Sequence, residues 1–187
     1  DEPKKGLLFA RQAGFLASSG NIIANIDADT KLPEGWIKKV FKEFSKNKKL
    51  VGLSGPYIYH DLPWMTNAMV HIYYFIGYSL HLINHHILGI GAMLQGGNFI
   101  LRRSDLEKVN GFNLDIDFYG EDTDIARRIQ KVGRVKFTFR LPMYTSGRRL
   151  KEEGLVVSAF RYGVNHFSTI FLKKPMTKKY SDIREKK

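Results

Sequence analysis

The chain has 187 residues, 43% of them hydrophobic, no cysteine, and a formal net charge of +12. These totals suit one domain with a real core, and they exclude a disordered tail, a disulfide framework and a thiolate zinc site. The positive surplus points to an anionic partner, either a phosphorylated substrate or an acidic membrane. No nucleic-acid motif occurs, and a plain solvated basic surface is the bland alternative.

Residues 6–19 read as a helix whose Ala10, Ala13, Gly14 and Ala17 form a small-residue stripe suited to a sheet, with Gly20 as C-cap. Asn21 to Ile26 reads as a short buried strand running into Asp27-Ala28-Asp29. Pro33 and Glu34 open a second helix, in which Trp36 or Ile37, Val40, Phe41 and Phe44 recur at helical spacing. Leu50 to Ser54 is an apolar strand closed by Gly55-Pro56. The rhythm of helix, strand, helix, strand predicts an open, mostly parallel α/β sheet with helices on both faces.

From Leu62 to Leu101 there is no Asp, Glu, Lys or Arg. Length alone would allow a membrane span, but polar side chains and Gly77, Gly89 and Gly91 interrupt it, so an interfacial or groove-lining helix is preferred. His71, His81, His85 and His86 lie in this stretch; adjacent His85 and His86 cannot share a helical face, and no HExxH occurs. Gly96-Gly97 precedes a strand from Asn98 to Leu101, and Ser104 with Glu107 resembles a capping box on a short helix ending at Gly111. Gly120 precedes Glu121-Asp122, which open a helix to about Val132 with Ile125, Ile129 and Val132 as its apolar stripe and Gly133 as its cap. Arg134 to Leu141 reads as a strand, and the segment 148–187 as a basic tail with an amphipathic stretch from Leu155 to Leu172.

Two acidic pairs carry candidate chemistry. Asp27 and Asp29, at i and i+2 beyond a strand, point to one side about 7 Å apart. Ligands of open α/β sheets bind beyond the carboxyl ends of the strands. Two carboxylates there repel each other, and a hard cation such as Mg2+ or Mn2+ would relieve this and bridge to a diphosphate. The same tripeptide could equally be a turn. Glu121 and Asp122 sit at a helix N-terminus, where the macrodipole favours their ionised forms, so one can act as a base; simple helix capping explains them too. Thr145 to Arg149 reads as a loop able to close over a diphosphate through Arg148 and Arg149, or as a basic surface turn.

The order of these pieces resembles family 2 glycosyltransferases. Ala10-Arg11-Gln12-Ala13-Gly14, then Ala17-Ser18-Ser19-Gly20, then Ile22 to Asp29, is similar to that family's "AR-x-AG … A-x-G … DAD" core. Gly96 to Arg103 is similar to its acceptor-side strand. Gly111-Phe112 followed by Gly120 to Arg128 is similar to its "GGF … ED-x-D-L-x-x-R" segment, with Asn110 standing where the family often has Gly. The resemblance covers residues 6 to 150 and implies a GT-A (nucleotide-diphospho-sugar transferase) fold over 1–147. It also implies inverting transfer of a sugar from a nucleoside diphosphate sugar to a glycan or lipid-linked acceptor in cell-envelope polysaccharide or glycolipid synthesis.

By the same resemblance Asp29 is the main metal ligand, with Asp27 assisting it or contacting the ribose. Asp122 is the catalytic base with Glu121 in support, and Gln95, Gly96 and Gly97 line the acceptor side. The family's first strand, with its base-reading Asp, has no counterpart here. The chain begins at Asp1 without a signal peptide, so about 60 to 100 preceding residues are expected on domain size. The uncharged 62–101 stretch and the seven Lys or Arg among residues 173–187 predict peripheral attachment to the cytoplasmic, inner face of an anionic membrane. The rival readings are a nucleotidyltransferase, which would not need Asp122, and a non-catalytic fragment or membrane-associated binding module.

Overall fold

The computed structural model describes residues 2–88 and 92–177, with the side chains of 84–88 excepted. The side chains of His85 and His86, Gly89 and Gly91, and the basic residues of 178–187 lie outside the described residues. The elements follow as α1 (Leu7–Ala17), β1 (Ile22–Ile26), α2 (Trp36–Lys46), β2 (Leu50–Ser54), β3 (Tyr57–Tyr59), α3 (Trp64–Leu88) and β4 (Asn98–Arg102). They continue as α4 (Arg103–Lys108), α5 (Glu121–Ile129), β5 (Arg134–Phe137), β6 (Met143–Thr145), α6 (Arg148–Glu153) and α7 (Leu155–Leu172).

The main sheet is four-stranded in the order β1-β4-β2-β5. β1, β2 and β5 run the same way, as the helix–strand rhythm predicts. β4 runs against them, so its ladders to β1 and β2 are antiparallel and the β2–β5 ladder is parallel. The sheet is therefore mixed rather than mostly parallel in its pairing, because after α3 the chain re-enters the sheet at the end where β1 and β2 finish, with Asn98 opposite Ile26 and Phe99 opposite Ser54. A second, two-stranded parallel ribbon joins β3 to β6. Its strands have three residues each, too short for a periodic signal in the sequence.

Alternation along β4 builds a core on each face. Phe99 and Leu101 face one side with Leu8 and Phe15 of α1, Leu106 of α4, and Ile125 and Ile129 of α5. Ile100 faces the other side with Trp36, Val40 and Phe44 of α2 and with Leu53 and Met143. Helices thus cover both faces, as predicted. In α2 the buried stripe is Trp36, Val40 and Phe44, which leaves Ile37 and Phe41 exposed.

Several local expectations are corrected. The small-residue stripe of α1 does not meet the sheet: Ala10, Gly14 and Ala17 are exposed, while Leu8 and Phe15 are buried beside Arg11 and Gln12. Both polar side chains can turn inward because partners await them; Gln12 Oε1 accepts the Phe112 N–H at 3.0 Å, and Arg11 finds carboxylates. Ser18, not Gly20, caps α1, its hydroxyl donating to the Phe15 carbonyl at 2.7 Å. The Ser104–Glu107 capping box does not form, since α4 already starts at Arg103, which pairs with Glu107 at 3.8 Å. α5 ends at Ile129 with Gln130 as cap, so Val132 and Gly133 fall beyond it. β5 stops at Phe137, four residues short of Leu141. Among the described residues no helix is long and apolar enough to cross a membrane.

Candidate active site

Asp27 follows directly from the carboxyl end of β1. Because β4 is antiparallel to β1, its first residue Asn98 sits opposite Ile26, and this register brings Gln95-Gly96-Gly97 beside Asp27. Tyr57 reaches the same point from beyond the carboxyl end of β2. Its hydroxyl lies between Asp27 Oδ2, at 3.1 Å, and the Gly96 carbonyl, and its one proton serves one or the other. Gly97 has a φ of 76°, and a Cβ on it would overlap the Asp27 carboxylate and the Tyr57 hydroxyl. Only glycine is accommodated there without strain.

Arg11 is the hub beneath this surface. Its guanidinium pairs with Glu121, lies 3.4 Å from Asp27 Oδ1 and sits over the Phe99 ring, 5.1 Å from its centroid. A buried guanidinium must be paired, and here one cation joins the first strand-end carboxylate to the start of α5. Burial pushes the Glu121 carboxyl up to about 7; Arg11 pulls it down, and the charges of Asp122 and Asp27 push it further up. Burial also raises the Tyr57 phenol well above its ordinary value, and Asp27 adds to this.

Gly120, with a φ of 78°, turns the chain into α5 and aims the first-turn carboxylates at the glycines. Asp122 Oδ2 accepts the Gly96 N–H at 3.2 Å. Its Oδ1 accepts the Thr123 N–H at 2.7 Å and the Thr123 hydroxyl at 3.3 Å. Thr123 Oγ1 is in turn 3.0 Å from Nδ1 of His166 on α7. Gln95 is held on both sides: its Oε1 accepts the Tyr74 hydroxyl at 2.7 Å, and its N–H donates to Ser54 Oγ at 2.9 Å.

Asp29 is 45% exposed and its Oδ2 lies 3.5 Å from Arg148 Nη2. The loop carrying Arg148 is clamped by Asp61, which accepts the Gly147 N–H at 2.6 Å, the Ser146 hydroxyl at 2.9 Å and the Lys151 ammonium at 3.4 Å. Burial opposes ionisation of Asp61, yet these donors bring its carboxyl down to about 2. Arg149 is turned toward Glu153, at 2.9 Å, with its guanidinium over the Phe118 ring.

Asp27, Asp29, Gln95, Gly96, Glu121, Asp122, Arg148 and Arg149 all line one cleft of about 1200 Å3. Gly97 stands behind Asp27 instead of on the cleft wall. Arg11, Tyr57, Thr123 and His166 also line it and were not among the expected site residues. For Arg11 the signal was present in Ala10-Arg11-x-Ala13-Gly14, an arginine one turn from Leu8 and Phe15. Tyr57 and His166 offer no local signal, since only the tertiary fold brings them in.

As for metals, no group of three or more His, Cys, Asp or Glu side chains among the described residues forms a cage. A hard cation bound through one or two carboxylates plus substrate phosphates does not need one. Asp29, open to solvent, and Asp27, already contacted by Arg11 and Tyr57, fit that donor set.

A mixed sheet covered by helices on both faces, with a cleft that gathers carboxylates and arginines at the carboxyl ends of its parallel strands, defines a nucleotide-diphospho-sugar transferase domain of the GT-A type. The sequence from residue 22 to 168 matches Glycosyl transferase family group 2, and the chain belongs to that family. The structure is similar to that of the mannosyltransferase PcManGT from Pyrobaculum calidifontis in complex with GDP-Man and Mn2+, with a TM-score of 0.62 and 17% sequence identity. The match covers 91% of this chain and 44% of that one, so this chain spans less than half the length of that protein. No curated protein matches the chain.

Proposed function

We propose that this chain supplies the catalytic centre for inverting transfer of a sugar from a nucleoside diphosphate sugar to an acceptor hydroxyl, in cell-envelope polysaccharide or glycolipid synthesis. The observation that carries the reading is the convergence of Asp27, Asp29, Asp122 and Arg148 on one cleft, from four separate segments of the chain. Family membership supports the reaction class, and the GDP-Man and Mn2+ bound by the similar mannosyltransferase support the donor class and a divalent metal.

Asp122 removes the proton of the acceptor hydroxyl as its oxygen attacks C1 of the sugar from the face opposite the diphosphate. The bond from C1 to the phosphate oxygen breaks, and its electron pair leaves with the nucleoside diphosphate. The Gly96 and Thr123 N–H groups fix the Asp122 carboxylate, which meets the need for near-attack geometry. Asp29 and Asp27 would hold Mg2+ or Mn2+, and such an ion would offset negative charge on the leaving diphosphate. Arg148 faces the same diphosphate, and Gln95-Gly96 faces the acceptor.

A lipid-linked or glycan acceptor at the inner membrane face suits the exterior of α3 and α7, which is apolar where most helices are polar. The full-length protein should be assayed against a panel of nucleoside diphosphate sugars with Mn2+ and Mg2+. Asp122→Asn should retain donor binding and lose about 10²–10⁴-fold in kcat. Asp29→Asn should in addition weaken metal-dependent donor binding. Equal, mild effects of both changes would overturn the assigned roles.

A further inference from the structure

Asp122 is connected to a second titratable side chain that the proposed reaction does not use. α7 carries His166 to the rear of Thr123, and Thr123 is the residue that ties Asp122 Oδ1. The Thr123 hydroxyl has one proton to give. With hydrogen on His166 Nδ1, that ring nitrogen donates to Thr123 Oγ1 and the threonine proton is committed to Asp122. With Nδ1 bare, the threonine proton turns to the imidazole, and Asp122 Oδ1 keeps the backbone N–H of Thr123. The tautomer of one imidazole therefore sets how many donors hold the carboxylate.

The surroundings argue against His166 as mere filling. α7 is inverted: its inward side is polar, with Ser158 at 1%, Asn165 at 1% and Thr169 at 0% exposure, and Val156 and Phe160 on its outside are 78% and 74% exposed. His166 belongs to the inward, cleft-lining side. Burial lowers its pKa, with Asp122 opposing, so near neutral pH one ring nitrogen donates and the other accepts. Among the described residues, Glu121 on α5, Tyr73 on α3 and Tyr162 on α7 also feel the Asp122 charge, and Arg149 acts on Tyr162.

We propose that His166 is a positioning residue for the base: its Nδ1–H donates to Thr123 Oγ1, which donates to Asp122 Oδ1 and holds the carboxylate in line for the acceptor hydroxyl. This inference rests on the reading of Asp122 as the base. Loss of the chain of donors leaves the carboxylate held by the backbone N–H groups of Gly96 and Thr123 alone, one donor short on Oδ1. His166 is thus tied to the rate step and not to donor binding.

The test uses the full-length enzyme and four changes: His166→Leu, His166→Asn, Thr123→Val and Asp122→Asn. The Leu variant keeps the bulk and loses the donor; the Asn variant restores a nitrogen near the Nδ1 position. Expected is a ten- to hundredfold fall in kcat for His166→Leu and Thr123→Val with donor KM unchanged. His166→Asn should recover most of the turnover. Should His166→Leu fail to fold, as judged by its thermal melt, Thr123→Val against His166→Asn carries the same comparison. Equal losses in the Leu and Asn variants, or full turnover in the Leu and Val variants while Asp122→Asn is inactive, would overturn the inference alone. Full turnover in Asp122→Asn would overturn the base assignment, and the inference with it.

Discussion

Arg11 and Glu121 form a buried ion pair with two further carboxylates close by, so one guanidinium serves an excess of negative charge. The Glu121 carboxyl, brought up to about 7, holds its proton more tightly in the fold than in the unfolded chain. Its contribution to stability is complete below the ordinary carboxyl value of about 4.3 and is lost as pH rises through about 7. Glu121→Gln should flatten the pH dependence of the melting temperature over this window; parallel curves for the two proteins would refute the assignment. Gly97→Ala places a Cβ in left-handed backbone and against Asp27 and Tyr57, so it should cost about 1–3 kcal/mol in stability. It should weaken nucleotide-sugar binding as well, because the Asp27 carboxylate must move; calorimetric titration with the donor nucleotide measures this.

At the scale of elements, the reversal of β4 matters most. Had β4 run with its neighbours, its amino end would lie at the far edge of the sheet, and Gly96 could not donate to Asp122 or Tyr57 reach the Gly96 carbonyl. The turn into α5 then brings both carboxylates into the cleft, where burial of Glu121 outweighs the helix dipole that favours its charge. The loop from β6 to α6 depends on Asp61, which arrives from the connection between β3 and α3. Its lowered carboxyl value means its contribution to loop order is present above about pH 4 and is lost as pH falls toward 2. Asp61→Asn removes the charge that gathers Ser146, Gly147 and Lys151. It should raise donor KM by roughly tenfold, about 1.4 kcal/mol, with little change in kcat. A kcat loss without a KM change would show that the loop serves the chemistry and not the donor.

At the scale of the whole molecule, the exterior of α3 and α7 is the outlying feature. Trp64, Met65, Ile72 and Phe75 of α3, and Val156, Phe160, Phe171 and Leu172 of α7, are each more than half exposed. Tyr73 of α3 lies 3.3 Å from the Ala159 carbonyl of α7, so the two helices are neighbours, and both flank the cleft. Surfaces of this kind mark interaction sites. Acidic vesicles should retain the protein at low salt. Phe160→Ser with Phe171→Ser should reduce retention without lowering stability, since both rings are solvent-facing. Removal of residues 173–187 should make the remaining binding less salt-sensitive, each basic group near an anionic leaflet contributing about 1 kcal/mol. No retention at low ionic strength would leave the acceptor to be sought in solution.

By itself the sequence determined the succession of α1, β1, α2, β2, β4, α4 and α5, because local periodicity and turn chemistry act over a few residues wherever the chain later goes. It also determined that acidic residues follow a strand and open a helix, which is visible in Asp27-Ala28-Asp29 and Glu121-Asp122. Only the tertiary structure decided which face of α1 turns inward, because an arginine and a glutamine can be buried only if distant residues satisfy them. Likewise it decided the direction of β4, the β3–β6 ribbon and the approach of Tyr57 and His166 to the site. These rest on hydrogen bonds between segments far apart in the chain, such as the 43 positions between Thr123 and His166, and no window of local sequence contains both partners.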